Sequence, residues 1–135
     1  SEISQPILLT AKKSGYPIAY TLTCLRYMLR WQHDYYQWIG ASAKASHRSI
    51  LPCIKNDLSC YIDADGMMYP CAILWSDFPG RKNIFEEGIK NAWDTLAEKP
   101  CYACGYISEV EFNLLFSLSF HSVMESFLYF LRGRK

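Results

Sequence analysis

Six cysteines are the residues of this sequence best suited to chemistry, and their spacing divides them into groups. Cys101 and Cys104 form a C-x-x-C pair, while Cys53 and Cys71 flank a short hairpin pattern. Thiolates from two separate segments, one of them a C-x-x-C pair, are the ligand set of a tetrahedral sulfur site. A buried thiolate is stable mainly when a cation neutralises it. The spacing therefore predicts one metal or iron–sulfur site that is shared by Cys53, Cys71, Cys101 and Cys104.

The two remaining cysteines have a simpler interpretation. Cys24 falls on the apolar face of a predicted helix, where a cysteine behaves as a small buried hydrophobic residue. Cys60 alternates with Tyr61 on a predicted strand, so burial is favoured there, with Cys60 as the substitute ligand if one of the four does not serve.

Three disulfides in a secreted protein are the alternative that an even number of cysteines allows. Disulfide scaffolds are usually small and poor in core, whereas half of this 135-residue chain is hydrophobic. We therefore expect reduced thiols and a cytoplasmic location.

No catalytic residues are predicted, and no further metal ligands outside the cysteine set. The histidines His33, His47 and His121 are scattered and have no metal-ligand spacing to a cysteine. Asp63 and Asp65 lie in a predicted turn, where Asp is common for backbone reasons. The sequence has 14 basic and 13 acidic side chains. This balance argues against a nucleic-acid-binding surface, which needs an excess of Lys and Arg.

The first third of the chain has the pattern helix–strand–helix. Residues 3–14 show helical spacing of apolar side chains, and residues 16–20 are typical of a short buried strand. A second helix is expected to begin after Thr21 or Thr23, either of which is a suitable N-cap. This order resembles one unit of a partial (β/α) barrel.

A small, polar stretch at residues 41–46 indicates an exposed loop, so the single internal boundary is placed near residue 50. The predicted domains are residues 1–50 and residues 51–135. Together the patterns predict an α+β fold in which a β-hairpin and helices surround a four-cysteine metal site.

The clearest β signal is a hairpin whose strands run over Cys60–Ala64 and Met67–Cys71. Asp65-Gly66 between them accepts the positive φ angles of a tight turn. Pro70 lacks an N–H for the ladder, which predicts that the second strand is an edge strand.

The helix after the hairpin is predicted to begin at Asn83 as its N-cap and to end before Pro100, which delivers the chain into Cys101. Its helical spacing predicts a set of four buried side chains, namely Phe85, Ile89, Trp93 and Leu96.

The last helix is predicted from a capping box, with Ser108 as the N-cap and Glu111 three residues later, and it continues to about residue 131. Its apolar stripe is too broad for a freely solvated helix. Polar residues within it argue against a membrane span, so we expect it to pack against a partner domain or subunit. An interfacial amphipathic helix is the minor alternative.

The segment around the hairpin resembles a known family. Cys53, twelve residues, Gly66, four residues and Cys71 match the C-x(9–15)-G-x4-C element of the SPASM and twitch domains, which follow the barrel in many radical S-adenosylmethionine enzymes. The sequence I-D-A-D-G-M-M-Y-P-C at residues 62–71 looks like the hairpin of that family. Residues 87–93 and the following C-x-x-C pair are similar to the helix and cysteines that complete its auxiliary-cluster site.

The resemblance implies that Cys53, Cys71, Cys101 and Cys104 bind one auxiliary [4Fe–4S] cluster, as in the shorter twitch type. A fully ligated cluster favours electron transfer or structural support over direct substrate binding. The family's C-x3-C-x2-C motif for the reactive cluster does not occur in this sequence. The chain is therefore not expected to be catalytic alone, and S-adenosylmethionine would be bound only in the full-length enzyme.

The resemblance also implies two partners, namely the remainder of the barrel or a partner subunit, and a peptide or small-molecule substrate. The rival hypothesis is a zinc-stabilised four-cysteine interaction module without catalysis, because four thiolates bind Zn²⁺ equally well. Zinc can also replace a cluster that is lost in air.

Overall fold

The structure is a computed structural model, and it describes residues 4–33, 38–40, 50–75, 78–98 and 100–132. Its α-helices are α1 Ser4–Lys13, α2 Leu22–Leu29, α3 Ile84–Glu87, α4 Ile89–Asp94, α5 Ile107–Phe116 and α6 Phe120–Arg132. Its strands are β1 Trp38–Gly40, β2 Tyr61–Ile62, β3 Met67–Tyr69, β4 Lys82–Asn83 and β5 Cys101–Cys104. The predicted loop at residues 41–46 lies outside the described residues.

The strands form two small antiparallel sheets. One pairs β1 with β5, and the other has the order β2-β3-β4. Helices and short antiparallel sheets occur in one chain, which confirms the predicted α+β fold class.

The first third of the chain packs against the last. Strand β1 pairs with β5, and α2 contacts both α5 and α6. Two carboxylates fix α2 at its N-terminus. Glu111 accepts from the backbone N–H and hydroxyl of Thr21, and Glu125 accepts from the same two groups of Thr23. A negative charge is favourable at this end of a helix. The boundary near residue 50 stays a prediction, but contacts join the two sides of it.

The predicted buried strand at residues 16–20 is wrong. These residues are irregular, and Tyr16 is 66% exposed. A strand needs a neighbour, and no described strand lies beside this segment. Pro17 also has no N–H to donate. The helices on either side are present, so the barrel-like helix–strand–helix unit is reduced to two helices that pack on each other.

The predicted hairpin is confirmed, with shorter strands and a different turn. Gly66 donates to the Asp63 carbonyl (2.9 Å), the N–H of Asp63 donates to Met67, and Gly66 has φ +85°. This is a type I turn followed by a glycine bulge, so Gly66 but not Asp65 requires a positive φ angle. Both aspartates serve the backbone, because Asp63 accepts from Ala64 and Asp65 accepts from Met67.

The prediction that the second strand of the hairpin is an edge strand is wrong. Strand β3 is central, between β2 and β4. It ends at Tyr69, one residue before Pro70, so the missing N–H falls outside the ladder.

The helix after the hairpin begins as predicted but does not continue. The Asn83 side chain accepts from the N–H of Phe85 (2.9 Å), which confirms the N-cap. Gly88, with φ +79°, divides the helix into α3 and α4. The division rotates the second half relative to the first, so the set predicted to be buried is mostly wrong: Leu96 is buried, but Phe85, Ile89 and Trp93 are exposed.

The last helix is also two helices. Helix α5 begins after Tyr106, so Ser108 lies inside it, and the prediction that Ser108 is the N-cap is wrong. It ends in a Schellman motif, in which Ser119 donates to Leu114 and Leu118 donates to Leu115. Leu118 takes the left-handed conformation, with φ +57°, that glycine usually occupies there.

Helix α6 lies on the protein by its polar side. Ser122 is fully buried, and Glu125 binds Thr23 of α2, while Phe120 is 72% exposed. In the described part of the chain, no single helix has the length and hydrophobicity that crossing a bilayer requires. Only the α5–α6 pair, bent by 104°, has both when the two helices are taken together.

Candidate metal centre

The four cysteines that the sequence assigns to one site line a single cavity. Cys53 lies in the loop before the hairpin, Cys71 is the second residue after β3, and Cys101 and Cys104 are the two ends of β5. The remaining walls are mostly apolar. They are formed by Trp38, Ile73, Leu74, Ala103 and Glu109. Side chains from distant parts of the sequence therefore meet as the spacing predicts, and their role as ligands stays a prediction.

Strand pairing fixes the C-x-x-C pair. In the β1–β5 ladder Trp38 lies opposite Cys104 and Gly40 lies opposite Cys101, with an irregularity between Ile39 and Gly40. A regular strand turns alternate residues to opposite faces. The first and last residues of β5 nevertheless line one cavity, and the irregular register accompanies this change of face.

Backbone hydrogen bonds hold Cys53 beside β5. Its N–H donates to the carbonyl of Tyr102, between the two cysteines of the pair, at 2.8 Å. The next residue, Ile54, donates to the Asn113 side chain of α5 at 3.0 Å. The loop is thereby attached to β5 and to α5, through partners that lie 49 and 59 residues later in the sequence.

Cys71 enters the cavity from the end of the hairpin. Pro70 follows β3 directly, and Cys71 has extended backbone angles before the 3-10 turn Ala72–Leu74. The sulfur lies at the start of this turn, where backbone N–H groups point toward it. The hairpin thus delivers the third segment of the site.

Burial dominates the electrostatics of the thiols. Burial raises the pKa of Cys104 to about 12, against the opposing effect of the Tyr106 backbone N–H, and Cys53, Cys71 and Glu109 add to the rise. Burial also raises the pKa of Cys71, which the N–H groups of Leu74 and Ile73 oppose. Each buried thiol therefore retains its proton until a cation can replace it.

The same N–H groups are suited to charged sulfur. Tyr106 directs its N–H at Cys104, and Ile73 and Leu74 direct theirs at Cys71, although Cys71 makes no conventional capping hydrogen bond. Donors of this kind stabilise thiolate and tune the potential of sulfur-bound metal.

The thiols are not arranged as a finished metal site. Among the described residues, no group of three or more His, Cys, Asp or Glu side chains is placed to hold a metal ion. The cavity between the sulfurs measures about 10 Å³, the space of roughly one water molecule. Metal binding therefore requires the thiols to lose protons and to shift.

The other cysteines lie elsewhere. Cys24 is fully buried between α2 and α5, where its thiol donates to the Ile107 carbonyl at 3.7 Å. Cys60 packs on the hydrophobic cluster that includes Cys71, but it is not among the residues that line the cavity. None of the six cysteines, all of which the structure describes, takes part in a disulfide.

The described histidines do not line the cavity either. His33 packs edge-on against Trp31, and the exposed His121 lies beside Phe120. His47 lies outside the described residues.

A buried ion pair beside the cavity was not predicted from the sequence. Glu109 is 2% exposed and lines the cavity, and Lys55, 7% exposed, forms a salt bridge with it. Burial lowers the pKa of Lys55, but hydrogen bonds to Glu109 and Tyr61 outweigh that effect and leave it raised. The signal in the sequence is faint: Glu109 precedes Val110 and lies one helical turn before Asn113, both of which are buried in α5.

Fold and cavity together define an α+β domain with a cysteine-lined site. Comparison with protein-family descriptions, with curated proteins and with solved structures found no match for this chain.

Proposed function

We propose that this chain is the auxiliary-cluster domain of a radical S-adenosylmethionine enzyme, in which Cys53, Cys71, Cys101 and Cys104 bind one [4Fe–4S] cluster. The observation that carries the proposal is the meeting of these four thiols, from three separate segments, in one cavity. Four cysteine ligands leave no iron open to substrate, so the domain supports electron transfer or substrate positioning in the larger enzyme.

The residues around the sulfurs suit such a group. The walls contributed by Trp38, Ile73, Leu74 and Ala103 exclude water, which strengthens electrostatic interactions within the site. Backbone N–H groups directed at Cys71 and Cys104 supply hydrogen bonds to sulfur. A bound cluster would supply one-electron chemistry that no side chain of this domain provides.

A zinc-stabilised four-cysteine module is the second candidate, and the size of the cavity favours it. A space of about 10 Å³ is closer to one ion than to a four-iron cluster, which needs the sulfurs to move apart. Zinc bound by four thiolates has a structural role and leaves no coordination position for catalysis.

The outward face of α6 supports a partner. Phe127 and Leu128 are 55% and 45% exposed beside Phe120, Phe130 and Leu131, all of them more than one third exposed. Apolar surface of this kind is typical of a contact with another protein surface. We propose the remainder of the barrel, or a partner subunit, as its cover, and a peptide or small molecule as substrate of the complete enzyme. Six cysteines outside disulfides support a reducing, cytoplasmic location.

Anaerobic reconstitution with ferrous iron and sulfide tests the proposal against zinc loading of the same preparation. A cluster gives a brown protein with absorption near ~400 nm and four irons per chain. Cys71→Ser serves as the ligand variant and Cys24→Ala as the control, because Cys71 lines the cavity and Cys24 does not.

The outcomes separate the two candidates. Brown colour that depends on Cys71 but not on Cys24 supports the iron–sulfur domain. A colourless protein that binds one zinc per chain through the same cysteines replaces it by the zinc module. A protein that binds neither metal, or binds it equally well without Cys71, overturns both.

A further inference from the structure

The buried pair Lys55–Glu109 requires an explanation, because taking two charges out of water is costly. Their side chains are only 9% and 3% exposed, and Nζ and Oε2 lie 2.5 Å apart. Attraction within a buried pair frequently does no more than offset the loss of hydration. Two apolar residues of similar size would fill the same space without that loss.

The pair is oriented with respect to the cysteine cavity. Glu109 lines the cavity, and Lys55 does not. The Lys55 ammonium lies over the rings of Tyr61 at 4.9 Å and Phe112 at 5.3 Å, and donates to the Tyr61 hydroxyl. The sulfurs therefore face the negative end of the pair.

A carboxylate in this position acts on the thiols through its charge. Burial is the main cause of the raised pKa values of Cys71 and Cys104, and the charge of Glu109 adds to the rise, as expected of a nearby anion. Apolar walls reduce screening, so a fixed charge acts there over a longer distance than in water.

We propose that Glu109, held in place by Lys55, is a built-in negative charge that weakens metal binding at the four-cysteine site and lowers the reduction potential of an iron–sulfur centre there. This inference rests on the proposed function. Glu109 and Lys55 are positioning residues in this scheme and not metal ligands. An anion beside a thiolate-bound centre opposes both thiolate formation and the arrival of an electron.

Co²⁺ titration tests the proposal, since cobalt bound to thiolates is coloured and reports both affinity and ligand type. Glu109→Gln should bind Co²⁺ about tenfold more tightly, as expected for one charge that acts through a partly screened interior. The double variant Lys55→Met/Glu109→Gln removes both charges. Its Co²⁺ affinity should fall between that of Glu109→Gln and that of the natural protein. It also remains informative if the single variant does not fold.

The control is the exposed pair Lys90–Asp94, whose side chains are 86% and 57% exposed at 2.6 Å. Asp94→Asn should leave Co²⁺ affinity unchanged. In the iron-loaded form, a redox titration with dithionite and viologen mediators should give the same order. Its potential should be lowest in the natural protein, intermediate in the double variant and highest in Glu109→Gln.

Each outcome decides the matter. If Co²⁺ binding does not depend on Cys71, the proposed function and this inference both fail. If cobalt binds through the cysteines but the variants do not follow the stated order, only this inference fails. A cobalt spectrum that changes from mixed sulfur–oxygen to all-sulfur ligation in Glu109→Gln would make Glu109 a ligand and would also overturn it.

Discussion

The cysteine cavity and helix α6 place their polar groups in opposite ways. In the cavity, apolar side chains surround the thiols and Glu109, which is one member of a buried ion pair. In α6, the polar residues Ser122 and Glu125 face the protein, while Phe120 and Phe130 are 72% and 60% exposed. The cavity therefore buries its polar groups, whereas α6 exposes its apolar side chains to solvent.

The difference shows what a hydrophobic pattern determines. The periodicity of α6 indicates which residues share a face. Whether that face packs on the protein or points to solvent depends on the groups that the neighbouring elements present. Helix α2 offers an N-terminus with unsatisfied N–H groups, and the Glu125 carboxylate binds there. We infer that this polar contact orients α6 and turns its aromatic side chains outward.

The largest expected effect is on the cavity side of this comparison. Cys101→Ser should lose bound metal and much of the folded structure, because a four-thiolate site that loses one ligand also loses the free energy that metal binding contributes to folding. Metal content by elemental analysis and the thermal unfolding midpoint are the measurements. Metal content equal to that of the unmodified protein would rule the ligand role out.

Cys24→Ala is the matched control for that experiment. Cys24 is as deeply buried but lies between α2 and α5, away from the cavity. It should keep full metal content and lose only the stability of a small side chain. If metal is lost here instead, the ligand set is wrong.

The next effect concerns the contact that orients α6. Glu125→Ala removes a carboxylate that accepts from the N–H and hydroxyl of Thr23, at 3.2 Å and 3.1 Å. Hydrogen bonds to charged groups contribute about 1.5–3 kcal/mol, so a loss of that order is expected. Hydrogen exchange should accelerate throughout α6. Glu86→Ala, at an exposed position in α3, is the control. Equal effects from the two variants would show that Glu125 does not orient α6.

Parts of both regions were predictable from the sequence, for physical reasons that differ. The N-cap at Asn83 and the turn at Gly66 were found because they depend on a few adjacent residues. The meeting of Cys53 with Cys101 was predicted from spacing and a family resemblance. The hydrogen bond from Cys53 to Tyr102, which joins those segments, has no local signature.

Three of the errors have separate causes. The breaks at Gly88 and Leu118 divide helices whose apolar periodicity continues across them, so the predicted buried faces went out of phase. The strand at residues 16–20 was predicted from composition alone, without a neighbour to pair with. The Lys55–Glu109 pair was missed because its members are 54 positions apart and both are of residue types that usually lie on the surface.

The break between α5 and α6 gives a smaller effect of unusual sign. Leu118 is 81% exposed and has φ +57°, a conformation that costs a non-glycine residue about 1–2 kcal/mol. Leu118→Gly relieves that strain but adds freedom to the unfolded chain. Urea unfolding should therefore show stability unchanged or raised by up to about 1 kcal/mol. A loss above about 1 kcal/mol would mean that Leu118 is covered or that the helix continues.

The smallest effect on stability tests the outward face itself. Phe120→Ser and Phe130→Ser should each change the free energy of unfolding by no more than about 0.5 kcal/mol, because both rings are mostly exposed. The same changes should reduce the binding of a hydrophobic dye and any self-association seen by light scattering. The inward counterpart is Ser122→Leu, which overpacks a fully buried site and should cost about 1–3 kcal/mol. If the phenylalanine variants lost about 3 kcal/mol or more while Ser122→Leu was neutral, α6 would lie on the protein by its apolar side, and its contrast with the cavity would disappear.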